Sequence, residues 1–166
     1  MIGLYICLQF ESANIQQYLQ KASAKEKYMG LKKNQKRSDC PLSGALDIWG
    51  DKWSLLIIRD LMFKNKSTYG DFLKSEEGIA TNILSARLLA LEENEIIEKV
   101  DNPGTKARVF YKLTPKGIEL FPVLVEVYLW AEKYLTIPAD IKAMIKEAKK
   151  DKEGFIKTSI KALKKG

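Results

Sequence analysis

Histidine is absent from the 166-residue chain, and cysteine occurs only twice, as Cys7 and Cys40. Without histidine there is no imidazole base, no Ser-His-Asp or Cys-His nucleophile pair and almost no route to a tetrahedral zinc site. The sequence also lacks a glycine-rich phosphate loop and a paired-carboxylate pattern, so we expect no enzyme, no cofactor and no metal. Two cysteines do not build a disulfide-stapled secreted scaffold, which favours a cytoplasmic protein.

Long hydrophobic runs are lacking too. The apolar stretch at residues 1–10 is interrupted by Gln9 and is far shorter than the roughly 18 residues that a spanning helix needs. No basic segment precedes it, so we expect neither a signal peptide nor a membrane partner. With 46% hydrophobic and 30% charged residues, the composition is that of one globular domain with extensions.

Positive charge is concentrated at the two ends of the chain. The net charge is +7, yet residues 38–135 carry −3, whereas residues 32–37 carry +4 and residues 136–166 carry +5. Basic arms favour nucleic-acid affinity, but they equally keep a small protein soluble. We divide the chain into an N-terminal extension and basic arm (1–37), a central domain (38–135) and a lysine-rich C-terminal extension (136–166).

Helices are predicted through the first half of the central domain. Cys40 is expected as the N-cap before Pro41, and the helix that follows has apolar residues at core-facing spacing and ends at Gly50. Asp51 is predicted to cap a second, central helix that is apolar nearly all round. The side chains assigned to the core are those of Trp49, Trp53, Leu55, Leu56, Leu84 and Leu88.

The next long helix has the pattern of a DNA-reading element. It is predicted to run from an N-cap at Thr81 to Asn94, after a cap or short extended piece at 67–70 and a brief helix. Leucines lie on one face, and the opposite face is small and polar at its start. The helix can therefore dock on the core while its first turns enter a groove.

A hairpin and further helices complete the pattern. β-branched and aromatic residues at 96–100 and 108–113 predict two strands with a basic tip. Thr114 caps a long helix through Leu135, which Pro122 should kink or bound in its first turns. Residues 139–166 predict one or two lysine-rich helices with a break at Gly154, expected either to flank a dimer and add DNA affinity or to remain a solvated extension.

The order of these elements predicts a mainly α fold with a small β hairpin (α+β), a winged helix-turn-helix. Such a domain places its third helix in the major groove of double-stranded DNA and its hairpin tip on the neighbouring backbone or minor groove. A winged helix can also serve as a protein–protein interaction module without specific DNA affinity, and the negative central domain leaves that alternative open.

Candidate DNA contacts follow from side-chain chemistry. Asparagine pairs with adenine, alanine meets a thymine methyl, and Arg87 can hold either a phosphate or an internal carboxylate. Residues before the brief helix can donate to phosphates, and the basic wing can reach phosphates or the minor groove. The predicted DNA-binding residues are Ser67, Thr68, Tyr69, Thr81, Asn82, Ser85, Ala86, Arg87, Lys106 and Arg108.

Short motifs occur in a fixed order along residues 38–135. They are Cys40-Pro41, Ala45-Leu46-Asp47, Trp49-Gly50-Asp51-Lys52-Trp53, Leu55-Leu56-Ile57-Ile58-Arg59, Tyr69-Gly70-Asp71-Phe72, Arg87-Leu88, Arg108-Val109 and Leu113-Thr114. Together they resemble the HxlR-type winged-helix transcriptional regulators, relatives of the MarR group. The resemblance implies a bacterial, nucleoid-associated homodimer that binds a palindromic operator. It also implies that the domain's first helix and the helix after the wing form the dimer interface, here through Leu42, Leu46, Leu124, Val127, Trp130 and Tyr134.

Cys40 carries a further hypothesis. A thiol at a helix N-cap lies at the positive end of the helix dipole, and Lys36 and Arg37 precede it, which favours the thiolate. In several members of the resembled family the matching cysteine senses oxidants or electrophiles, so the resemblance implies that a small reactive effector at Cys40 changes operator affinity. The competing interpretation is an unreactive, half-buried capping residue.

Overall fold

Residues 38–101 and 109–165 are described by a computed structural model. In these residues the order is α1 (Pro41–Trp49), α2 (Lys52–Phe63), α3 (Tyr69–Leu73), α4 (Thr81–Glu93), β1 (Ile97–Asp101), β2 (Val109–Leu113), α5 (Pro115–Ile118), α6 (Phe121–Tyr134), α7 (Ala139–Lys150) and α8 (Lys152–Leu163). This order confirms the predicted winged helix-turn-helix. The described residues from Cys40 onward belong to one compact unit.

The turn between α1 and α2 forms as the sequence predicts. Gly50 ends α1, and the Asp51 carboxylate caps α2 by accepting the N–H groups of Trp53 at 2.9 Å and Ser54 at 3.1 Å. The core-facing prediction for α1 is confirmed for Trp49, which is partly buried and packs against the core, and is wrong for Leu42 and Leu46, which are exposed. The end of α1 therefore contacts the core, while Leu42 and Leu46 form an apolar surface.

The core lies where α2, α4 and α6 meet. Ile57 and Ile58 of α2 pack in one cluster with the predicted leucines Leu84 and Leu88 of α4 and with Phe121 of α6. The other predicted core residues, Trp49, Trp53 and Leu55, are partly buried and pack against this cluster. Leu56 is half-buried.

The wing is a two-stranded antiparallel sheet. β1 and β2 pair from Ile97 opposite Leu113 to Asp101 opposite Val109. An isolated bridge joins Thr68 to Phe110, so the segment before α3 lies along the outer edge of β2. The predicted hairpin is confirmed, and its tip lies outside the described residues.

Two helices occupy the stretch predicted as one long helix after the wing. The Thr114 hydroxyl caps α5 by accepting the N–H of Gly117 at 3.1 Å, as expected, but α5 ends after one turn. Pro122 lies in the first turn of α6, where a backbone N–H has no acceptor within the helix, so its absence does not destabilise the helix. Of the two roles left open for Pro122, the structure shows that it bounds a helix.

The C-terminal extension is part of the core. α7 buries Ile145 and Ala148, and the Phe155 ring of α8 lies 5.8 Å from that of Phe121, so the solvated-extension alternative is wrong. The predicted break at Gly154 is wrong as well, because the break is at Asp151. The Asp151 carboxylate accepts the Gly154 N–H at 2.9 Å, and a Cβ on Gly154 would overlap that carboxylate.

Candidate nucleic-acid interface

The first turns of α4 present a small polar surface. Thr81, Asn82 and Ser85 are exposed, whereas the three leucines of the opposite face are buried. The N-cap is Ala80 and not Thr81, so Thr81 is already inside the helix and its hydroxyl is not used for capping. Within the described residues, the side chains of Thr81 and Asn82 accept and donate no hydrogen bond, which leaves both available to a ligand. Ala86 beside them is half-buried.

Tyr69 ties α3 to this surface. Its hydroxyl donates to the carbonyl oxygen of Thr81 at 2.9 Å and lies 3.1 Å from Ser85 Oγ. Ser85 Oγ donates to the same carbonyl at 3.0 Å. The hydroxyls of Tyr69 and Ser85, both predicted as DNA contacts, are therefore engaged with each other and with the backbone of α4.

Arg87 ties the middle of α4 to the start of α2. Its guanidinium donates to Asp51 Oδ2 at 3.2 Å. Of the two predicted partners of Arg87, a DNA phosphate or an internal carboxylate, the DNA-free structure shows the carboxylate. Burial disfavours the charged Asp51, but the hydrogen bonds from Ser54 and Trp53 and the Arg87 charge outweigh it and lower the pKa of Asp51. The same carboxylate thus caps α2 and fixes α4.

The segment before α3 is held by a capping box. The Thr68 hydroxyl accepts the N–H of Asp71 at 3.2 Å and donates to its carboxylate at 2.6 Å, while the carboxylate accepts the Thr68 N–H at 3.0 Å. The Ser67 carbonyl accepts the N–H of Tyr111 in the wing at 2.7 Å. In the DNA-free protein, the Thr68 side chain therefore caps α3, and the backbone at Thr68 pairs with β2 of the wing.

A buried ion cluster beneath the helix-turn-helix was missed by the sequence reasoning. Asp60 in α2 is 2% exposed and accepts hydrogen bonds from Arg59 at 2.6 and 2.9 Å, Lys66 at 3.1 Å and Ser75 at 2.6 Å. Arg59 also pairs with Glu77 at 2.5 Å. The cluster joins α2 to both loops that flank α3. An Arg-Asp pair inside an otherwise apolar helix is the one signal that pointed to it.

Hydrogen bonding keeps this cluster ionised. Burial favours a neutral Asp60, but the hydrogen bonds from Ser75, Arg59 and Lys66 prevail and hold its pKa below the usual range. The Arg59 guanidinium lowers the pKa of Glu77 to about 2, despite some burial. The loops around α3 are thus fixed by charged groups that remain charged at neutral pH.

Exposed apolar side chains lie on α1 and α6. Leu42 is 64% exposed, and Trp130 of α6 is 60% exposed with its ring 5.1 Å from that of Tyr134. Val127 is exposed as well, and with Trp130 it lines a shallow groove on α6. Leu124, also predicted at a dimer interface, is only 5% exposed and packs in the core. It is a core residue because it packs in one cluster with buried residues of α2 and α4.

Three predicted site residues remain. Cys40 is the N-cap of α1, as predicted, and it is exposed rather than half-buried. Lys106 and Arg108 lie outside the described residues. Among the residues that the structure covers, no three His, Cys, Asp or Glu side chains come together as ligands for a metal ion, and no helix there is long and apolar enough to cross a membrane.

The segment from the end of α1 to the start of α7 matches a known family. Residues 48–138 match the HxlR-like helix-turn-helix family. The chain belongs to this family. An HxlR-like protein is a transcriptional regulator of the helix-turn-helix type, so the resemblance read from the motifs is confirmed. The matched segment contains α2 to α6, and α7 and α8 lie beyond it.

Named relatives agree with this assignment. The chain is 35% identical to the HTH-type transcriptional regulator sll1512 of Synechocystis over 96 residues, 58% of this chain and 70% of that one. It is also 35% identical to the HTH-type transcriptional regulator YodB of Bacillus subtilis, over 57% of this chain and 85% of YodB.

Solved structures of the same fold include two that are informative for this HxlR-like chain. The crystal structure of PA1607 is 41% identical and superposes with a TM-score of 0.56, covering 63% of this chain and 71% of PA1607. The redox regulator HypR in its oxidised form is 26% identical with a TM-score of 0.53, covering 59% of this chain and all of HypR, 100%.

Proposed function

We propose that this HxlR-like protein is a homodimeric regulator that binds a palindromic sequence in duplex DNA through α4 and the wing. The observation that carries the proposal is the exposed start of α4, where the side chains of Thr81 and Asn82 have no hydrogen-bond partner among the described residues while Tyr69 and Arg87 hold the helix from either side. A rigid helix with unpaired polar groups on its first turns suits the major groove. The wing residues Lys106 and Arg108 and the loop residue Ser67 are proposed backbone contacts, and Ala86 a methyl contact.

Selection from random duplex DNA, followed by sequencing of the retained duplexes, tests the proposal. We expect a palindrome whose half-site centres lie roughly 34 Å apart, one helical turn. Asn82→Ala should then weaken binding by about 1–3 kcal/mol and relax the preference at one position of each half-site, since asparagine pairs bidentately with adenine. Glu93→Ala, at the far end of the same helix, should leave the preference unchanged.

Salt dependence separates DNA binding from the interaction-module alternative. Each neutralised phosphate contributes a slope of about −0.9 to a plot of log affinity against log salt concentration. A DNA-binding regulator should therefore lose affinity steeply as salt rises, whereas a largely apolar protein–protein contact should not. If the protein retains DNA in a salt-sensitive way but enriches no sequence, it is not a sequence-specific regulator, and the interaction module is favoured.

The exposed apolar residues of α1 and α6 are the proposed dimer interface. Trp130→Glu places a charge at the most exposed indole of this surface, and we expect it to raise the dimer dissociation constant at least about 30-fold, as for an interface hot spot. Analytical ultracentrifugation measures the shift from dimer to monomer. Val109→Glu changes an exposed apolar residue of the wing and is the matched control. A monomeric wild-type protein, or equal effects of both variants, would contradict the interface.

A redox response through Cys40 is proposed from its exposed position at the start of α1, beside the proposed dimer surface. HypR, a relative by fold, is named a redox regulator. Treatment with diamide or a quinone should change the DNA affinity of the wild type and of Cys7→Ser by severalfold, but not that of Cys40→Ser. If Cys40→Ser responds as the wild type does, Cys40 is not the sensor.

A further inference from the structure

Three oxygen atoms meet where α3 contacts the first turn of α4. Tyr69 Oη and Ser85 Oγ both donate to the carbonyl oxygen of Thr81, at 2.9 and 3.0 Å, and the two hydroxyl oxygens are 3.1 Å apart. Ser85 is exposed on the same face as Asn82. The cluster therefore lies within the surface that we propose to face DNA.

The hydrogens in this cluster can be counted. A carbonyl oxygen only accepts, and each hydroxyl has a single hydrogen to donate. Whichever arrangement forms, the Ser85 hydrogen points to Thr81 O or to Tyr69 Oη, and both acceptors belong to the cluster. Toward a ligand, Ser85 Oγ can therefore accept a hydrogen bond but has no hydrogen left to donate.

We propose that Tyr69 and the Thr81 carbonyl make Ser85 a hydrogen-bond acceptor toward DNA, which contacts the exocyclic amino group of an adenine or a cytosine. These amino groups are the hydrogen-bond donors that base edges present in the major groove, whereas N7, O6 and O4 only accept. An unrestrained serine can contact donors and acceptors alike and discriminates little between them. Tyr69 acts as a positioning residue, because its oxygen is the second acceptor that keeps the Ser85 hydrogen within the cluster, and it does so without contacting DNA.

The inference rests on the proposed function, and its test starts from the sequence that the wild type selects. Comparison with the sequence selected by Ser85→Ala identifies the base pair that Ser85 contacts. In one half-site the amino group of that pair is then removed, by replacing adenine with purine or cytosine with 2-pyrimidinone. Affinities for the amino and des-amino duplexes are measured for the wild type, Ser85→Ala and Tyr69→Phe.

We expect the wild type to lose about fivefold in affinity when the amino group is removed, the effect of one hydrogen bond, and Ser85→Ala to lose nothing. Tyr69→Phe, which keeps the ring but frees the serine hydroxyl from one of its two partners, should reduce the ratio to about twofold. A variant that is merely less stable binds both duplexes more weakly and leaves their ratio unchanged, so the ratio reports positioning and not folding.

Three results would overturn the inference. Equal sensitivity of the wild type and Ser85→Ala to the amino group would show that Ser85 is not its acceptor. If Tyr69→Phe has the same ratio of affinities for the amino and des-amino duplexes as the wild type, Tyr69 does not position Ser85 for base recognition. An identical selected sequence for the wild type and Ser85→Ala overturns the inference alone, whereas a wild type that selects no sequence overturns the proposed function as well.

Discussion

Asp60→Asn is expected to lower the free energy of unfolding by about 3–5 kcal/mol, the range observed when one partner of a buried ion pair is removed. The carboxylate is 2% exposed and accepts hydrogen bonds from Arg59, Lys66 and Ser75. Asparagine of nearly the same shape removes the negative charge, takes the carboxylate partner away from half-buried Lys66 and leaves Arg59 paired with Glu77 alone. Equilibrium denaturation in urea measures the loss.

The matched control is Glu76→Gln, which removes an exposed carboxylate from the same α3–α4 turn. A surface change of this kind should alter the unfolding free energy by no more than about 0.5 kcal/mol. If Asp60→Asn proved as mild as the control, the cluster would not be what holds the loops around α3.

Acid should destabilise the protein through the same groups. The pKa values of Asp60 and Glu77 are lowered in the folded state, and that of Glu77 falls to about 2 from an ordinary 4.5. Their stabilising contribution is therefore fully present above about pH 4.5 and is lost as the pH falls toward 2. In Asp60→Asn the unfolding free energy should fall less steeply over this range, because one of the two carboxylates no longer titrates.

Ile145→Ala is expected to lower the free energy of unfolding by about 3 kcal/mol, within the range for truncating a buried isoleucine. Ile145 is 1% exposed and lies in α7, beyond the segment that matches the HxlR-like family. The loss combines the missing apolar contact with the cavity that remains. Thermal and chemical denaturation should both report it, in a single transition with the winged helix.

Lys146→Ala is the control, because it changes the next residue of the same helix at an exposed position. We expect it to be nearly neutral. A separate transition for α7 and α8, or an Ile145→Ala variant as stable as Lys146→Ala, would show that the C-terminal helices are an accessory to the domain and not part of its core.

Local signals predicted most of the helix and strand boundaries. Pro41, Gly50 and Asp51 act through the backbone of their own turn, so their effect can be read without any distant partner. The α4 leucines recur on one helical face and are buried as predicted. By contrast, α1 has similar apolar spacing and leaves Leu42 and Leu46 exposed, because spacing shows that a face is apolar but not what covers it.

The roles of polar side chains could not be predicted in the same way. Tyr69, Ser85 and Arg87 were all predicted as DNA contacts, and all three have internal partners that are 12, 16 or 36 residues away along the chain. A hydrogen bond or ion pair depends on positions within a few tenths of an ångström, which only the packed helices determine.

By itself, the sequence determined that this chain is a winged helix-turn-helix of the HxlR-like family, because caps, periodicity and short motifs are properties of neighbouring residues. The tertiary structure decided which residues remain available to DNA. It left Thr81, Asn82 and Ser85 exposed on α4, with the Ser85 hydroxyl held by Tyr69 and the Thr81 carbonyl, and it paired Arg87 with Asp51. It also decided that the lysine-rich C-terminus is core, because α7 and the Phe155 ring reach α6 only once the chain has folded back.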